Sequence, residues 1–161
     1  MIQSVFTERQ AMRALRYLLI ISATLLASTA HAAEKARDVI QIENPFARAS
    51  VPGMGMSAIF MTLKNTGQQE HLLVEAQSGV SANTELHGHV MDKGMMRMRQ
   101  MAHIHIKPGQ DKLLKPGGLH IMLIGLTTTL IEGREIKLKL TFDDGSEQTL
   151  TVPVKSISAK Y

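Results

Sequence analysis

The sequence predicts an all-β fold of the Greek-key sandwich or barrel type, and three observations support this class. Short apolar or alternating runs follow one another through most of the chain. Turn-forming clusters of Gly, Pro, Asn and Asp separate these runs at close intervals. Beyond the N-terminal leader, no stretch of helical length shows apolar residues at a 3.6-residue period. Many short strands at such spacing are typical of β-sandwiches and β-barrels.

Each predicted strand follows one turn signal and ends before the next. The predicted strands, in chain order, are Val39 to Ile42, Phe46 to Ser50, Met56 to Lys64, His71 to Ala76, Ala82 to His89, Met95 to Met101, His103 to Ile106, Leu119 to Ile124, Ile136 to Phe142 and Gln148 to Val154. The reversals are assigned to segments that supply proline or a residue able to adopt positive φ: Asn65-Thr66-Gly67, Asp92-Lys93-Gly94, Lys107-Pro108-Gly109, Lys115-Pro116-Gly117-Gly118 and Asp143-Asp144-Gly145.

The N-terminal segment has the features of a secretory signal. Arg9, Arg13 and Arg16 give it a positive start, and a nearly unbroken apolar run continues from Tyr17 to Ala27. Ala30-His31-Ala32 then matches the small-x-small pattern that signal peptidase recognises. The sequence therefore predicts export and cleavage at the end of this motif.

The predicted domain organisation is a cleaved signal peptide over residues 1–32 and one domain over residues 33–161, located in the periplasm. Met12 is an alternative start, because Met12 to Ala32 is already a complete export signal. No later segment approaches the roughly 18 uninterrupted apolar residues that a membrane helix needs. We therefore expect no membrane span in the mature chain.

Charge and cysteine content exclude several classes of protein. The 161 residues carry a formal net charge of +4, but the leader holds three arginines against one glutamate, which leaves 15 basic and 13 acidic residues. This balance, without a basic run or a tryptophan, gives no support to nucleic-acid binding. There is no cysteine. Its absence excludes disulfides, a cysteine-linked lipid anchor and the blue-copper arrangement, which requires a thiolate.

Four residues, His87, Met98, His120 and Met122, are candidate ligands of a soft metal ion. Thioether sulfur has little affinity for zinc, calcium or magnesium but is a good donor to Cu(I), so histidine together with methionine indicates copper. Strand alternation places His120 and Met122 on one face, about 7 Å apart. A hairpin through Asp92-Lys93-Gly94 would bring the strand of His87 alongside Met98.

With these residues, the sequence resembles the periplasmic copper chaperones called PCu(A)C. The family pattern is a histidine, ten residues, a methionine, twenty-one residues and then His-x-Met, and the four candidate ligands satisfy every interval. The surrounding segments are also similar to the family: Thr84-Glu85-Leu86-His87, Gly94-Met95-Met96-Arg97-Met98-Arg99, and the run from Leu114 to Leu126. Weaker similarity extends from Asn44-Pro45 to Val154.

The resemblance implies a cupredoxin-like Greek-key β-sandwich that binds Cu(I) through the four candidate ligands. It also implies delivery of copper to the binuclear centre of cytochrome c oxidase, with the copper-bearing oxidase subunit and a Sco-type thioredoxin-like protein as partners. Some members carry a His- and Met-rich C-terminal tail with a second copper. This chain ends Val154-Lys155-Ser156-Ile157-Ser158-Ala159-Lys160-Tyr161, so a second tail site is not expected.

Two interpretations apply to each of three further residues near the candidate ligands. His89 follows His87 by two residues and shares its face, so it is either an ordinary strand residue or a substitute ligand. Met91 and Met96 are either packing residues or outer-shell sulfurs. Core packing alone does not explain why six of the eleven methionines fall between Met91 and Met122.

The other histidines and methionines are assigned mainly structural roles. His103 and His105 are predicted to lie side by side in solvent while the neighbouring isoleucines face the core, with adventitious Cu(II) or zinc binding as the alternative. His71 is interpreted as an ordinary strand end. Met54 and Met56 are predicted to lie on an exposed turn, with the rim of the metal site as the alternative.

Three other functions compete with copper delivery. A metalloenzyme is not expected, because the sequence contains no nucleophile motif and no HExxH, and four protein ligands leave no open position for a substrate. A periplasmic protein that sequesters copper for resistance would use the same site. An exported β-sandwich that binds a protein partner would bind no stoichiometric Cu(I).

Overall fold

The computed structural model describes residues 34–92 and 94–159. The predicted signal peptide, residues 1–32, lies outside the described residues. One helical turn and ten strands follow in chain order: α1 (Ala36–Val39), β1 (Ile40–Arg48), β2 (Met56–Asn65), β3 (His71–Gln77), β4 (Ser81–Asp92), β5 (Met95–Gln100), β6 (Ile104–Ile106), β7 (Asp111–Leu114), β8 (His120–Leu126), β9 (Glu135–Phe142) and β10 (Glu147–Lys155).

The strands form two groups joined at β1 and β10. The order β5-β4-β8-β2-β1 makes one sheet, and β7 pairs with β2 beside it. The order β10-β9-β3-β6 makes the other. A short parallel pairing of Ala47 with Val154 and of Arg48 with Lys155 connects them, whereas the other pairs between strands are antiparallel.

Apolar residues from both sheets form one core, which confirms the predicted all-β sandwich. Alternation along β9 buries Ile136, Leu138 and Leu140, and alternation along β8 buries Ile121 and Leu123. These side chains belong to a single hydrophobic cluster. Burying each of them contributes about 1.5–3 kcal/mol relative to leaving it exposed.

The prediction of two separate strands, Val39 to Ile42 and Phe46 to Ser50, is wrong, because the chain forms the single strand β1. Its register with β2 shifts between Glu43 and Phe46. Asn44 adopts a φ of 50° at this bulge. The bulge interrupts the alternation without ending the pairing, so the sequence pattern looks like a strand end.

Two short elements, α1 and β7, were not predicted. α1 is one turn, which is too short for a 3.6-residue period to appear. β7 has four residues, of which Leu114 is buried and Leu113 is exposed, so its alternation is also too short to detect. Among the described residues, no helix combines the length and apolarity required to cross a bilayer.

Candidate metal centre

The pairing of β4, β5 and β8 brings the four candidate ligands onto one face of a sheet. His87 on β4 stands directly across from His120 on β8, and Met122 stands across from Glu85. On the other side of β4, Met98 of β5 is opposite His89, two residues from His87. The hairpin between β4 and β5 therefore forms as predicted and places the Met98 strand beside the histidine strand.

Alternation along β8 separates the site from the core. Ile121 and Leu123 point into the sandwich and are buried, whereas His120 and Met122 lie on the opposite face. His120 is nevertheless only 4% exposed. The ring of Phe60 on β2 lies 6.2 Å from its ring, and the two rings are tilted against each other. The predicted common face is confirmed, and the burial of His120 is an additional finding.

Hydrogen bonding fixes the orientation of His120. Its Nδ1 lies 2.9 Å from the carbonyl oxygen of Gly118, so an Nδ1–H donates to this oxygen and Nε2 remains free of a proton. Burial lowers the pKa of His120 below its ordinary value of 6.5; the bond to Gly118 opposes this shift, and the neighbouring His87 and His89 add to it. The ring is therefore held neutral, the form that binds a metal.

His87 has one nitrogen paired and one available. Its Nε2 donates to Oε2 of Glu85 across 2.7 Å. Its Nδ1 is buried and has no hydrogen-bond partner among the described residues. A buried polar atom without a partner is costly, and a metal ion would satisfy it. The ring centroids of His87 and His120 are 5.9 Å apart. These observations fit a copper ligand set.

A cavity of about 320 Å³ opens beside these rings. Of the four candidate ligands, Met98, His120 and Met122 line it, while His87 does not. His89, Met54 and Met56 also contribute to its wall. Met54 and Met56 are both exposed and border the cavity, but Met56 is the first residue of β2 and does not lie on the predicted turn. A larger open groove of about 860 Å³ near Glu75 and Lys139 contains no histidine or methionine.

In their present orientations, the described histidine and carboxylate side chains do not form a metal site without methionine. In residues 34–92 and 94–159, no three histidine, aspartate or glutamate side chains are grouped so that they alone could hold an ion. The imidazoles are neighbours but do not already converge on one point. Met98 is 43% exposed and lies on the edge strand β5, so its side chain has room to turn toward the rings.

The other described histidines, His71, His103 and His105, lie elsewhere in the fold. Ile104 and Ile106 are buried, as predicted, and the rings of His103 and His105 are 4.9 Å apart; His105 is exposed, whereas His103 is half-buried. His105 Nδ1 lies 2.9 Å from Glu70 Oε1. His71 lies at the strand end predicted for it, as the first residue of β3, and it is buried there.

Sequence reasoning missed the residues that support the ligands. Glu85 lies two residues before His87 and so shares its face, a signal that alternation alone could have supplied. Gly118 acts through its backbone carbonyl, which no side-chain pattern reveals. Phe60 comes from β2, far along the chain, and only the register of β2 with β8 brings it to His120.

Comparison with known proteins places this chain in a family. The sequence model of the LpqE-like lipoprotein family matches residues 40–154. The protein Lxx21020 of Leifsonia xyli subsp. xyli, named as a lipoprotein, is 36% identical over 134 residues, which cover 83% of this chain and 80% of that protein. RP573 of Rickettsia prowazekii is 28% identical over 123 residues, covering 74% of this chain and 68% of that protein.

Solved structures show the same fold. The solution structure of CuI-DR1885 from Deinococcus radiodurans is 28% identical, covers 85% of this chain and 94% of its own, and has a TM-score of 0.58. The copper-bound PCuAC domain of PmoF2 is 21% identical, with 73% and 92% coverage and a TM-score of 0.62. The predicted cupredoxin-like Greek-key β-sandwich is confirmed. The chain belongs to the LpqE-like family, and the PCu(A)C resemblance found in its sequence is thereby confirmed.

Proposed function

We propose that this chain is an exported metallochaperone that carries one Cu(I) ion on His87, Met98, His120 and Met122. One observation carries the proposal: all four donors lie on the same sheet face. Three of them line a single cavity, and the fourth stands directly across from His120. Imidazole and thioether donors favour copper, and the thioethers favour its reduced state.

The hydrogen bonds around the rings support this function. Gly118 and Glu85 each bind one nitrogen of a ligand ring, which orients the other nitrogen for a metal. Copper binding then requires only side-chain rotation in a preformed cavity. The Cu(I)-bound state of the 28% identical DR1885 supports the choice of cargo.

The donor set also suits release. None of the four side chains carries a negative charge, so they hold Cu(I) less tightly than thiolates do. Methionine also avoids the disulfide formation that would inactivate cysteine ligands in an oxidising compartment. Four protein donors leave no open position for a substrate, so we propose binding and transfer without catalytic turnover.

Within this proposal, the chain acts in the periplasm and supplies the binuclear copper centre of cytochrome c oxidase. The copper-bearing oxidase subunit is the recipient, and a Sco-type protein is a second partner. The lipoprotein names of the family and of Lxx21020 support export. Sequestration for copper resistance is the second candidate, because it uses the same donors. A deletion strain that loses oxidase assembly at low copper supports delivery, whereas one that becomes only copper-sensitive supports sequestration.

The direct test is an anaerobic Cu(I) titration against a competing chelator. We expect one ion per chain, and a loss of affinity of at least tenfold, about 1.4 kcal/mol, for Met98→Leu and for His120→Ala. Met95→Leu is the matched control for the first variant, because Met95 lies on the same strand but on its other face. His105→Ala is the control for the second. A wild-type protein that binds no Cu(I), or controls that weaken binding equally, would contradict the proposal.

A further inference from the structure

His89 is the one additional imidazole on the wall of the candidate copper cavity. It lines this cavity together with Met98, His120 and Met122. Its ring centroid lies 6.1 Å from that of His120, almost the same distance as the 5.9 Å between His87 and His120. The ring of His89 is therefore about as close to that of His120 as the ring of His87 is.

The spacing of the rings is compatible with one shared ion. With a metal–nitrogen bond of about 2 Å, two imidazoles on opposite sides of an ion have ring centres up to roughly 6 Å apart. Both ring distances to His120 are at this limit, and because only one ring can lie opposite His120, the other ring must move closer to share the ion. Small rotations of His87 and His89, which are both partly exposed, would bring their nitrogens to an ion bound by His120.

The nitrogens of His89 are arranged like those of His120. The Nδ1 of His89 faces the carbonyl oxygen of Gly118 at 3.4 Å, the same oxygen that accepts a hydrogen bond from His120. An Nδ1–H in this position leaves Nε2 as the metal-binding nitrogen. His87 has the opposite arrangement, with Nε2 on Glu85 and Nδ1 available. Each of the three rings thus has one nitrogen held and one available.

We propose that His89 is a third imidazole donor of this site, and that it lets the site hold Cu(II) as well as Cu(I). This inference rests on the proposed copper-carrier function. Cu(II) prefers nitrogen donors in tetragonal geometry, whereas Cu(I) takes thioether sulfur readily. Three imidazoles therefore serve the oxidised ion, whereas the two methionines with His87 and His120 serve the reduced ion. No electron transfer by the protein is required.

The experiment measures the affinity of the protein for Cu(II) and for Cu(I), both in the same variant background. His103→Ala/His105→Ala removes the surface histidine pair, which would otherwise bind Cu(II) on its own. In this background we compare the parent with His89→Ala, using Cu(II) under air and Cu(I) under anaerobic conditions against competing chelators. We expect His89→Ala to weaken Cu(II) binding at least tenfold and Cu(I) binding less than threefold. Such a tenfold selective loss raises the reduction potential of bound copper by about 59 mV.

Electron paramagnetic resonance of the Cu(II) form gives an independent readout, because removal of His89 should reduce the nitrogen hyperfine pattern. If His89→Ala fails to fold, as judged by its thermal transition without metal, His89→Gln retains most of the side chain and serves the same test. Unchanged Cu(II) affinity, or an equal loss for both copper states, would overturn the inference. A parent that binds no Cu(I) would instead overturn the proposed function itself.

Discussion

Two histidine–glutamate pairs in the described part of the chain differ in their surroundings, and the difference shows which surroundings suit a metal ion. His87 donates to Glu85 at 2.7 Å, with side chains 14% and 27% exposed. His105 lies 2.9 Å from Glu70, with side chains 54% and 42% exposed. The distances are similar. Only the first pair lies beside a buried histidine and two methionines, so the fold rather than the pair itself creates the candidate site.

The histidines that neighbour the two pairs also differ from each other. The neighbour of His87 is His120, which is buried, held by Gly118 and kept neutral. The neighbour of His105 is His103, whose ring meets it edge to face on the surface. A surface pair of imidazoles can take up a metal ion but cannot select among ions. In the proposed copper site, the burial and the methionine sulfurs of the first region would provide selection for Cu(I).

Among the residues that support the candidate ligands, the largest effect is expected from removing the charge of Glu85, the carboxylate of the first pair. Glu85→Gln weakens the hydrogen bond that orients His87, and supporting carboxylates of this kind contribute about 10–100-fold to metal affinity. We therefore expect Cu(I) affinity to fall about tenfold in the anaerobic titration. Glu70→Gln is the matched control and should leave the affinity unchanged. Equal effects of the two substitutions would show that the two pairs do not differ as argued.

A smaller effect is expected from replacing two glycines that both adopt positive φ. Gly117 and Gly109 have φ values of 75° and 65°, and a Cβ at either would meet open space. Alanine at each position should cost about 1 kcal/mol of unfolding free energy and lower the thermal transition by about 3–5 °C. Only Gly117→Ala should also reduce Cu(I) affinity, because its turn carries the Gly118 carbonyl. A loss of Cu(I) affinity in Gly109→Ala would contradict the assignment.

The smallest effect is expected in the pH dependence. Burial lowers the pKa of His120, so its ring remains neutral at a pH where an ordinary imidazole, with a pKa of about 6.5, is already protonated. Cu(I) binding by this ring should persist below pH 6.5 and be lost only as the pH falls through the lower folded-state value. Titration of Cu(I) affinity from pH 7.5 to 5 measures this. A steep loss that begins above pH 6.5 would be inconsistent with a buried neutral His120.

The same shift fixes the sign of a stability effect in the metal-free protein. The native state disfavours protonated His120, so its contribution to unfolding free energy is complete above the unfolded-state pKa, near 6.5. The contribution is lost as the pH falls from there through the folded-state value. Denaturant unfolding at pH 7.5 and 5.5 should show this loss in the wild type and a smaller loss in His120→Ala.

The sequence allowed prediction of the features that depend on local pattern. Alternation assigned His120 and Met122 to one face and Ile121 to the core. Successive side chains along a strand point to opposite faces whatever the rest of the chain does, so this assignment needs only local sequence. Turn residues located the β4–β5 hairpin. The bulge at Asn44 and the four-residue β7 were missed, since their local patterns are interrupted or too short.

The features that depend on contacts between residues far apart in the chain could not be predicted from the sequence. The burial of His120 requires the ring of Phe60, which reaches it only through the pairing of β2 with β8. The exact neighbour of Met98 was also not predictable, because hairpin register places His89 rather than His87 opposite it. Spacing alone could therefore identify the four candidate ligands but could not rank His87 against His89.

The uneven burial of the donors gives any transfer a direction. His120 lies deepest, whereas Met98 stands on the edge strand with 43% of its surface in solvent. An incoming protein that offers its own ligands would meet the thioether of Met98 first and the imidazole of His120 last. A bound copper ion would thus leave in steps. Its bond to the sulfur of Met98 would break first, and its bond to the ring of His120 would break last.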